Sequence, residues 1–286
     1  MSLCSICSLA RKRAFFGILE GRVSRRCSGT FALRAKRRVA KTLCEIAGPE
    51  NGNRHMHLLT EFCSTHRRES ATFLATSVAV FILSSAAYAT APSLFVRFLG
   101  PLNPPIVVLL ASLVGALCIL LLISRGWFPV LSGTERRGRF AWFILAASLG
   151  TVAIVVDRIA PFPADINILF PHSLMFYPVM GFLVEILFHL IPISILILIM
   201  PALTRTPAIT IISILCVSLL EPSLQIALGL SGPKWRIAWV GLHVFIINLC
   251  QIFVFRRFDF LTMYSFRLVY YSIWHVGWGY FRLLDT

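Results

Sequence analysis

The stretch "LMFYPVMGFLVEILFHLIPISILILIM", residues 174–200, is long and apolar enough to cross a membrane, yet it carries a glutamate and a histidine near its middle. About 20 apolar residues span the hydrocarbon layer of a bilayer as a helix. Glu185 and His189 are four residues apart, which places them on one helix face. An ionisable group near the bilayer centre costs about 2.5–3.5 kcal/mol on insertion scales. The pair therefore indicates a polar partner or a function inside the membrane.

The composition of the whole chain indicates the same class of protein. Its 286 residues are 57% hydrophobic and 14% charged, whereas soluble chains are about one-quarter charged. No internal repeat and no alternating β-barrel pattern is visible. We predict an all-α polytopic membrane protein with about seven transmembrane helices in one bundle. The predicted spans are residues 71–91, 104–124, 140–157, 174–200, 207–228, 236–255 and 260–281.

The charged residues are concentrated before the first span. Residues 1–70 contain 14 of the 27 Lys and Arg and supply +9 of the +15 net charge. We predict a basic N-terminal tail over 1–70 and a transmembrane bundle over 71–286. Three interpretations of residues 1–55 stay open: a mitochondrial-type targeting segment, a polybasic patch attracted to anionic lipid, or untranslated sequence before a start at Met56.

The placement of Lys and Arg also predicts an orientation. With the N-terminus inside, the inner segments contain 21 of these residues and the outer segments five, while Arg267 lies within the last span. Because basic residues accumulate on the cytoplasmic side, we predict a cytoplasmic N-terminus, a location in the cell (inner) membrane and membrane lipid as a partner. No nucleic-acid-binding module is visible, so we expect no nucleic-acid partner.

Polar residues recur in the last four spans, whereas the first two contain almost none. Besides Glu185 and His189 they include Glu221 with Gln225, His243 with Asn248 and Gln251, and Arg267 with His275. Because buried charges require partners, we expect these residues to converge on one interior site. Alternatives remain for some: the amides as bonds between helices, His275 in an aromatic interface belt, and snorkelling of His243 or Arg267.

Arg267 is the expected counter-charge of the bundle, because a guanidinium cannot lose its proton. We expect Glu221 to be its partner, which would leave Glu185 to His189. Prolines on both sides of Glu185, at positions 178 and 192, free backbone carbonyls within the fourth span. That pattern favours a broken helix lining a cavity.

The first polar pair resembles a motif of the CPBP (CAAX protease and bacteriocin-processing) family of intramembrane glutamic proteases. That family has E-E-x-x-x-R on one helix, then F-x-x-x-H, then H-x-x-x-N or H-x-x-x-D on a last helix. In "VEILFH", Val184 falls on the first glutamate, Glu185 on the second and His189 on the arginine.

The later motifs are matched by position and differ in residue type. Glu221 stands for the Phe and Gln225 for the His of the second motif, and Arg267 and Tyr271 stand for the His and the Asn or Asp of the third. The resemblance covers residues 140 to 280. It implies a bundle in which a glutamate activates water to cleave a peptide or membrane-protein substrate.

Three mechanisms remain open at this point. Glu185 could act as general base, oriented by His189 and assisted by His243, with Asn248 or Arg267 stabilising an oxyanion. Glu185, His189 and His243 could instead bind zinc, although H-E-x-x-H is absent, and we expect no metal and no other cofactor. Alternatively the network is non-catalytic and binds a proton or ligand, or acts as a scaffold.

Overall fold

The computed structural model describes residues 67–127, 136–163, 166–200, 206–228 and 232–284. These residues form helices and connectors and contain no strand. Most of the predicted tail, residues 1–66, lies outside them, so the interpretations of residues 1–55 as a targeting segment, a polybasic patch or untranslated sequence before Met56 concern residues outside the described ranges. The protein is an all-α polytopic membrane protein.

Six helices are long and apolar enough to cross a membrane, and their bounds lie close to the predicted spans. We number them α1 (Arg67–Thr90), α2 (Pro104–Ser124), α3 (Arg136–Ile159), α4 (Ser173–Ile199), α5 (Pro207–Ala227) and α6 (Lys234–Arg257). Two short helical turns, Pro92–Phe95 and Val96–Leu99, lie between α1 and α2.

The seventh predicted span is also helical but is not among these six. We call it α7; it consists of Phe260–Tyr271, a π-helical segment Ser272–Trp278, and Gly279–Leu284. It is less apolar because Arg267, His275 and several Tyr and Trp side chains lie along it.

Local sequence explains where several helices begin. Asn103 caps α2 by accepting a hydrogen bond from the Ile106 N–H, and prolines fill the first two positions, where no intrahelical donor is needed. Asp259 caps α7, accepting from the Thr262 N–H at 2.6 Å. Since only Phe258 and Asp259 separate α6 from α7, the two helices form a tight helical hairpin.

Helix α4 is the central element. Half of its most apolar 18 residues are buried, against 22–39% in the other five membrane helices. It packs against α1, α2, α5 and α7. Large apolar side chains on the outer surface of the bundle face outwards, as expected for a surface in contact with lipid; they include Leu74, Leu117, Ile144, Ile199 and Leu242.

The expected break of α4 at its prolines does not occur. The helix continues from Ser173 to Ile199 and changes only its winding, through the π-helical segment Glu185–Leu190. Pro178 lies within regular helix, where its carbonyl accepts a hydrogen bond from the Tyr264 hydroxyl at 2.9 Å. Tyr264 of α7 thus donates a hydrogen bond to the backbone of α4 near the position where proline interrupts the helical hydrogen bonds.

Candidate functional site

The π-helical segment of α4 carries the first two members of the site. Glu185 and His189 are fully buried, and the carboxylate Oε2 lies 2.5 Å from the imidazole Nδ1. The i, i+4 pair predicted from sequence is therefore present, although it lies on a π turn. Such turns are rare and are found often at functional sites.

Arg267 of α7 lies opposite this pair and is the hub of the site. Its Nε donates to Glu185 Oε1 at 2.6 Å, and its Nη2 donates to Glu221 Oε2 at 3.1 Å. Only 3% of the arginine side chain is exposed, so it pairs with acids and does not snorkel. The expected bond to Glu221 is present, but the expectation that Glu185 would be left to His189 is wrong.

The approach of α7 to α4 at Arg267 depends on a small residue. A Cβ atom added at Gly181 would lie 3.4 Å from Arg267 Cδ and 3.3 Å from Tyr271 Cε2. These separations are at or near the tight end of van der Waals contact. Glycine at this position therefore allows the guanidinium to come within bonding range of the α4 carboxylate.

Helix α6 contributes two buried amides that link the acids and the arginine. Gln251 donates to Glu185 Oε1 and accepts from Arg267 Nη2 at 2.8 Å. Asn248 accepts from Arg267 Nη2 at 3.2 Å and donates to the Ser218 carbonyl at 3.3 Å. Both donor and acceptor ends of each amide are used, which fixes their orientation.

Helix α5 contributes the second acid. Glu221 accepts from both terminal nitrogens of Arg267, at 3.4 and 3.1 Å, and from the Gln225 amide at 3.2 Å. Arg267 Nη1 also donates to the Tyr271 hydroxyl at 3.2 Å. We call these eight residues the Arg267 network: Glu185, His189, Glu221, Gln225, Asn248, Gln251, Arg267 and Tyr271.

Two predicted site residues lie apart from this network. His243 stacks on Trp239 with ring centroids 4.6 Å apart, and its Nε2 has no hydrogen-bond partner. It precedes Gln251 by eight residues, about 12 Å along the helix. The structure therefore does not bring His243 to Glu185.

His275 lies in the π-helical segment of α7 and is also outside the network. Its Nδ1 lies 3.1 Å from Asn167 Oδ1, and its ring stacks on Tyr177 with centroids 4.6 Å apart. These contacts tie α7 to Asn167, in the connector that precedes α4, and to Tyr177 of α4 itself. The ring also contacts Tyr271, at 5.1 Å between centroids, so His275 touches one member of the network without belonging to it.

A second buried charge cluster was not predicted. Asp157, near the end of α3, accepts from the Phe162 N–H at 2.7 Å and from Trp278 Nε1 at 2.6 Å, and its Oδ2 lies 3.4 Å from Arg282 Nε. An acid in the last turn of a helix is disfavoured by the helix dipole. The position of Asp157 in the last turn of α3 is therefore the feature of the sequence that could have indicated a specific partner for this acid.

The arrangement limits what Glu185 can do chemically. A general base needs a free lone pair directed at a water molecule. Here Oε1 accepts from Arg267 and Gln251, and Oε2 bonds His189. In addition, a carboxylate that takes a proton from water loses the attraction of the adjacent guanidinium.

The zinc alternative required Glu185, His189 and His243 around one ion. In the described part of the chain no three His, Cys, Asp or Glu side chains are grouped in that way.

No family model, curated protein or solved structure matches the chain. The six apolar helices and the fold make it an integral membrane protein.

Proposed function

We propose that this integral membrane protein is non-catalytic, and that its Arg267 network connects helices α4 to α7. The observation that carries the proposal is that one guanidinium donates to both Glu185 and Glu221. It also donates to Asn248 and Gln251 of α6 and to Tyr271 of its own helix. Four helices therefore meet at a single side chain.

The stability that the network contributes depends on each charge having a partner and not on charge alone. A buried ion pair adds little stability compared with apolar packing, but removal of one partner costs about 3–5 kcal/mol. Buried networks whose members are hydrogen-bonded fix one arrangement of the surrounding elements, and in this network every buried polar side-chain atom except His189 Nε2 has a partner. The amides of α6, bonded at both ends, indicate such a fixed arrangement. In it the Glu185 carboxylate is held by its partners and is not free to react.

Glu185→Gln tests this proposal. The variant removes the negative charge that faces Arg267, so the buried guanidinium loses a charged partner, and an amide N–H₂ turned towards Arg267 would meet another donor. We expect a clear loss of thermal stability in detergent. The matched control is Glu69→Gln in the first turn of α1, where an acid contributes about 0.3–1 kcal/mol. A Glu185→Gln variant with the same melting temperature as Glu69→Gln contradicts the proposal.

A CPBP-like intramembrane peptidase is the second candidate. It is favoured by one observation: the positions matched by the resemblance, Glu185, His189, Glu221 and Arg267, come together although they lie on three helices. In that function Glu185 would activate water and His189 would orient it, while Asn248 or Arg267 would stabilise the oxyanion. The substrate would be a peptide or a membrane protein.

Peptide cleavage distinguishes the two candidates. Purified protein in lipid nanodiscs is incubated with a peptide library, and wild type is compared with Glu185→Gln and with Asp157→Asn. Cleavage by wild type and by Asp157→Asn but not by Glu185→Gln supports the peptidase. Absence of cleavage, or equal cleavage by wild type and Glu185→Gln, counts against Glu185 as a catalytic base.

We further propose that the N-terminus is cytoplasmic and that the protein resides in the cell (inner) membrane among anionic lipids. The asymmetry of Lys and Arg supports this orientation. Single cysteines introduced at exposed Leu102 and exposed Thr206, in a variant without other cysteines, would test it. A membrane-impermeant thiol reagent added to intact cells should label position 102 and not position 206; the reverse pattern would invert the orientation.

A further inference from the structure

One end of the bundle, where α2 and α6 end and α3 and α7 begin, has an excess of positive charge. Among the described side chains, the acids at this end are Glu69 and Asp259, and Asp259 pairs with Arg139 at 3.1 Å. The arginines of the same end are twice as many: Arg125, Arg139, Arg256 and Arg257. Anionic lipid headgroups are attracted to basic residues at the ends of membrane helices. This end of the bundle is therefore suited to an anionic lipid.

Aromatic rings hold three of these guanidinium groups in place. Arg256 lies 5.2 Å from the centroid of the Trp127 ring. Arg139 and Arg257 both lie over Phe258, at 5.6 and 5.8 Å from its centroid. Both rings are buried, so their positions are fixed by packing. Arg256 is half-buried, and no carboxylate of the described residues lies within 4 Å of its guanidinium, so no acid there compensates this oriented charge.

An exposed apolar stripe on α6 leads up to Arg256 and Arg257. It consists of Leu242, Ile246 and Phe253, all exposed, and the first two lie within about 20° of Phe253 around the helix axis. The two arginines follow at about 60° and 40° on opposite sides of this line. The stripe is about 16 Å long, close to half of the roughly 30 Å hydrocarbon thickness. It therefore matches the acyl chain of a lipid in one leaflet, with the headgroup at the arginines.

We infer that this face of α6 binds an anionic phospholipid, with its phosphate against Arg256 and Arg257 and an acyl chain along the stripe. Every outward face of the bundle contacts acyl chains, and the two arginines make this face selective for headgroup charge. A guanidinium pairs with phosphate through two parallel N–H···O bonds, which a neutral surface cannot offer. A free phosphate ion would use the arginines alone, so the stripe favours a lipid. The inference uses the proposed location among anionic lipids and is independent of the Arg267 network.

Native mass spectrometry of the purified protein, titrated with anionic dioleoylphosphatidylglycerol or uncharged dioleoylphosphatidylcholine, tests the inference. We expect wild type to bind the phosphatidylglycerol more tightly. The double variant Arg256→Gln with Arg257→Gln should bind it about 25-fold more weakly, because each basic residue near an anionic surface contributes about fivefold. Arg158→Gln is the matched control, since Arg158 also lies over a tryptophan ring, at 5.0 Å, but at the other end of the bundle. Equal binding of both lipids by wild type, or of phosphatidylglycerol by the double variant and the control, overturns the inference.

Glycerol 3-phosphate separates a lipid from a free phosphate. It carries the phosphate group but no acyl chain, so it can pair with the arginines and cannot cover the stripe. We expect it to leave bound phosphatidylglycerol in place at a concentration at which a short-chain phosphatidylglycerol displaces it. Equal displacement by the two competitors would show a site for phosphate alone, which contradicts a lipid site.

Wild type alone locates the site if the double variant does not fold. Phosphatidylglycerol with a diazirine in one acyl chain is incorporated into phosphatidylcholine nanodiscs, crosslinked by light and mapped by peptide mass spectrometry. We expect crosslinks on the α6 segment from Leu242 to Phe253, suppressed by added phosphatidylglycerol and not by phosphatidylcholine. Crosslinks spread evenly over the outward faces, or suppressed equally by both lipids, contradict the inference. The proposed function fails separately, through the melting of Glu185→Gln or the labelling of positions 102 and 206, neither of which reports on lipid charge.

Discussion

Replacement of Arg267 by methionine should remove a large part of the stability of the bundle. Methionine is similar in length to the arginine stem, so the main change is loss of the guanidinium. That group makes six hydrogen bonds to five side chains, those of Glu185, Glu221, Asn248, Gln251 and Tyr271. Both acids would lose their shared cation, and each amide would lose a donor to its oxygen.

The expected magnitude follows from the burial of these groups. Removal of one partner from a buried ion pair costs about 3–5 kcal/mol because the other charge is left uncompensated. In a protein of about 150–250 residues, 1 kcal/mol lowers the melting temperature by about 2–4 °C. We therefore expect Arg267→Met to melt about 6–20 °C below wild type.

Thermal unfolding in detergent, followed by tryptophan fluorescence, measures this difference. Arg158→Met is the matched control: Arg158 is exposed and lies over the Trp278 ring at 5.0 Å, a contact worth about 0.5–1 kcal/mol. Arg267→Lys should fall between the two, because lysine keeps the charge but cannot bond both acids as a fork does. If Arg267→Met has the same melting temperature as Arg158→Met, the network does not stabilise the packing of the helices.

Three further outcomes follow from the same contacts. Exchange of Arg267 and Glu221, or of Arg267 and Glu185, should not restore the stability lost in the single variants, because the new glutamate would face the remaining acid; recovery in either would show that one pair suffices. Gly181→Leu should lower the melting temperature more than Gly181→Ala, since overpacking costs about 1–3 kcal/mol and separates α7 from α4; equal melting would show that no close approach is needed. Asp157→Asn should cost about 1–3 kcal/mol, measured by urea unfolding, through loss of a buried charged partner; unchanged unfolding would make its contacts incidental.

The helices could be predicted because their signals are local. The predicted span 104–124 coincides with α2, whose start is fixed by Asn103 and two prolines. Long apolar runs placed the other spans to within four residues, and the largest differences are at the starts of α1 and α3, where the structure adds residues 67–70 and 136–139. Basic residues at a helix end lower the hydropathy of a window although the backbone remains helical.

The site could be predicted only in part because its pairing depends on helix rotation. The contact between Glu185 and His189 follows from their spacing along one helix. Whether Arg267 contacts one acid or both depends on how α4, α5 and α7 are turned about their axes, which a sequence does not specify. The same reason explains His243, which has the right residue type on the right helix but lies too far along it.

The π-helical segment Glu185–Leu190 makes α4 sensitive to its length as well as to its side chains. A π turn accommodates one residue more than an α turn, so the two halves of α4 are offset by one residue, about 100° of rotation. Deletion of Leu187, which is 49% exposed, would remove no buried side chain. It would nevertheless return the segment to α winding, which absorbs the deletion and leaves Ile193 and Ile197 in place, while His189 would follow Glu185 by three residues instead of four. A gene that gains or loses one codon here would therefore assemble or dismantle the site without replacing any of its residues.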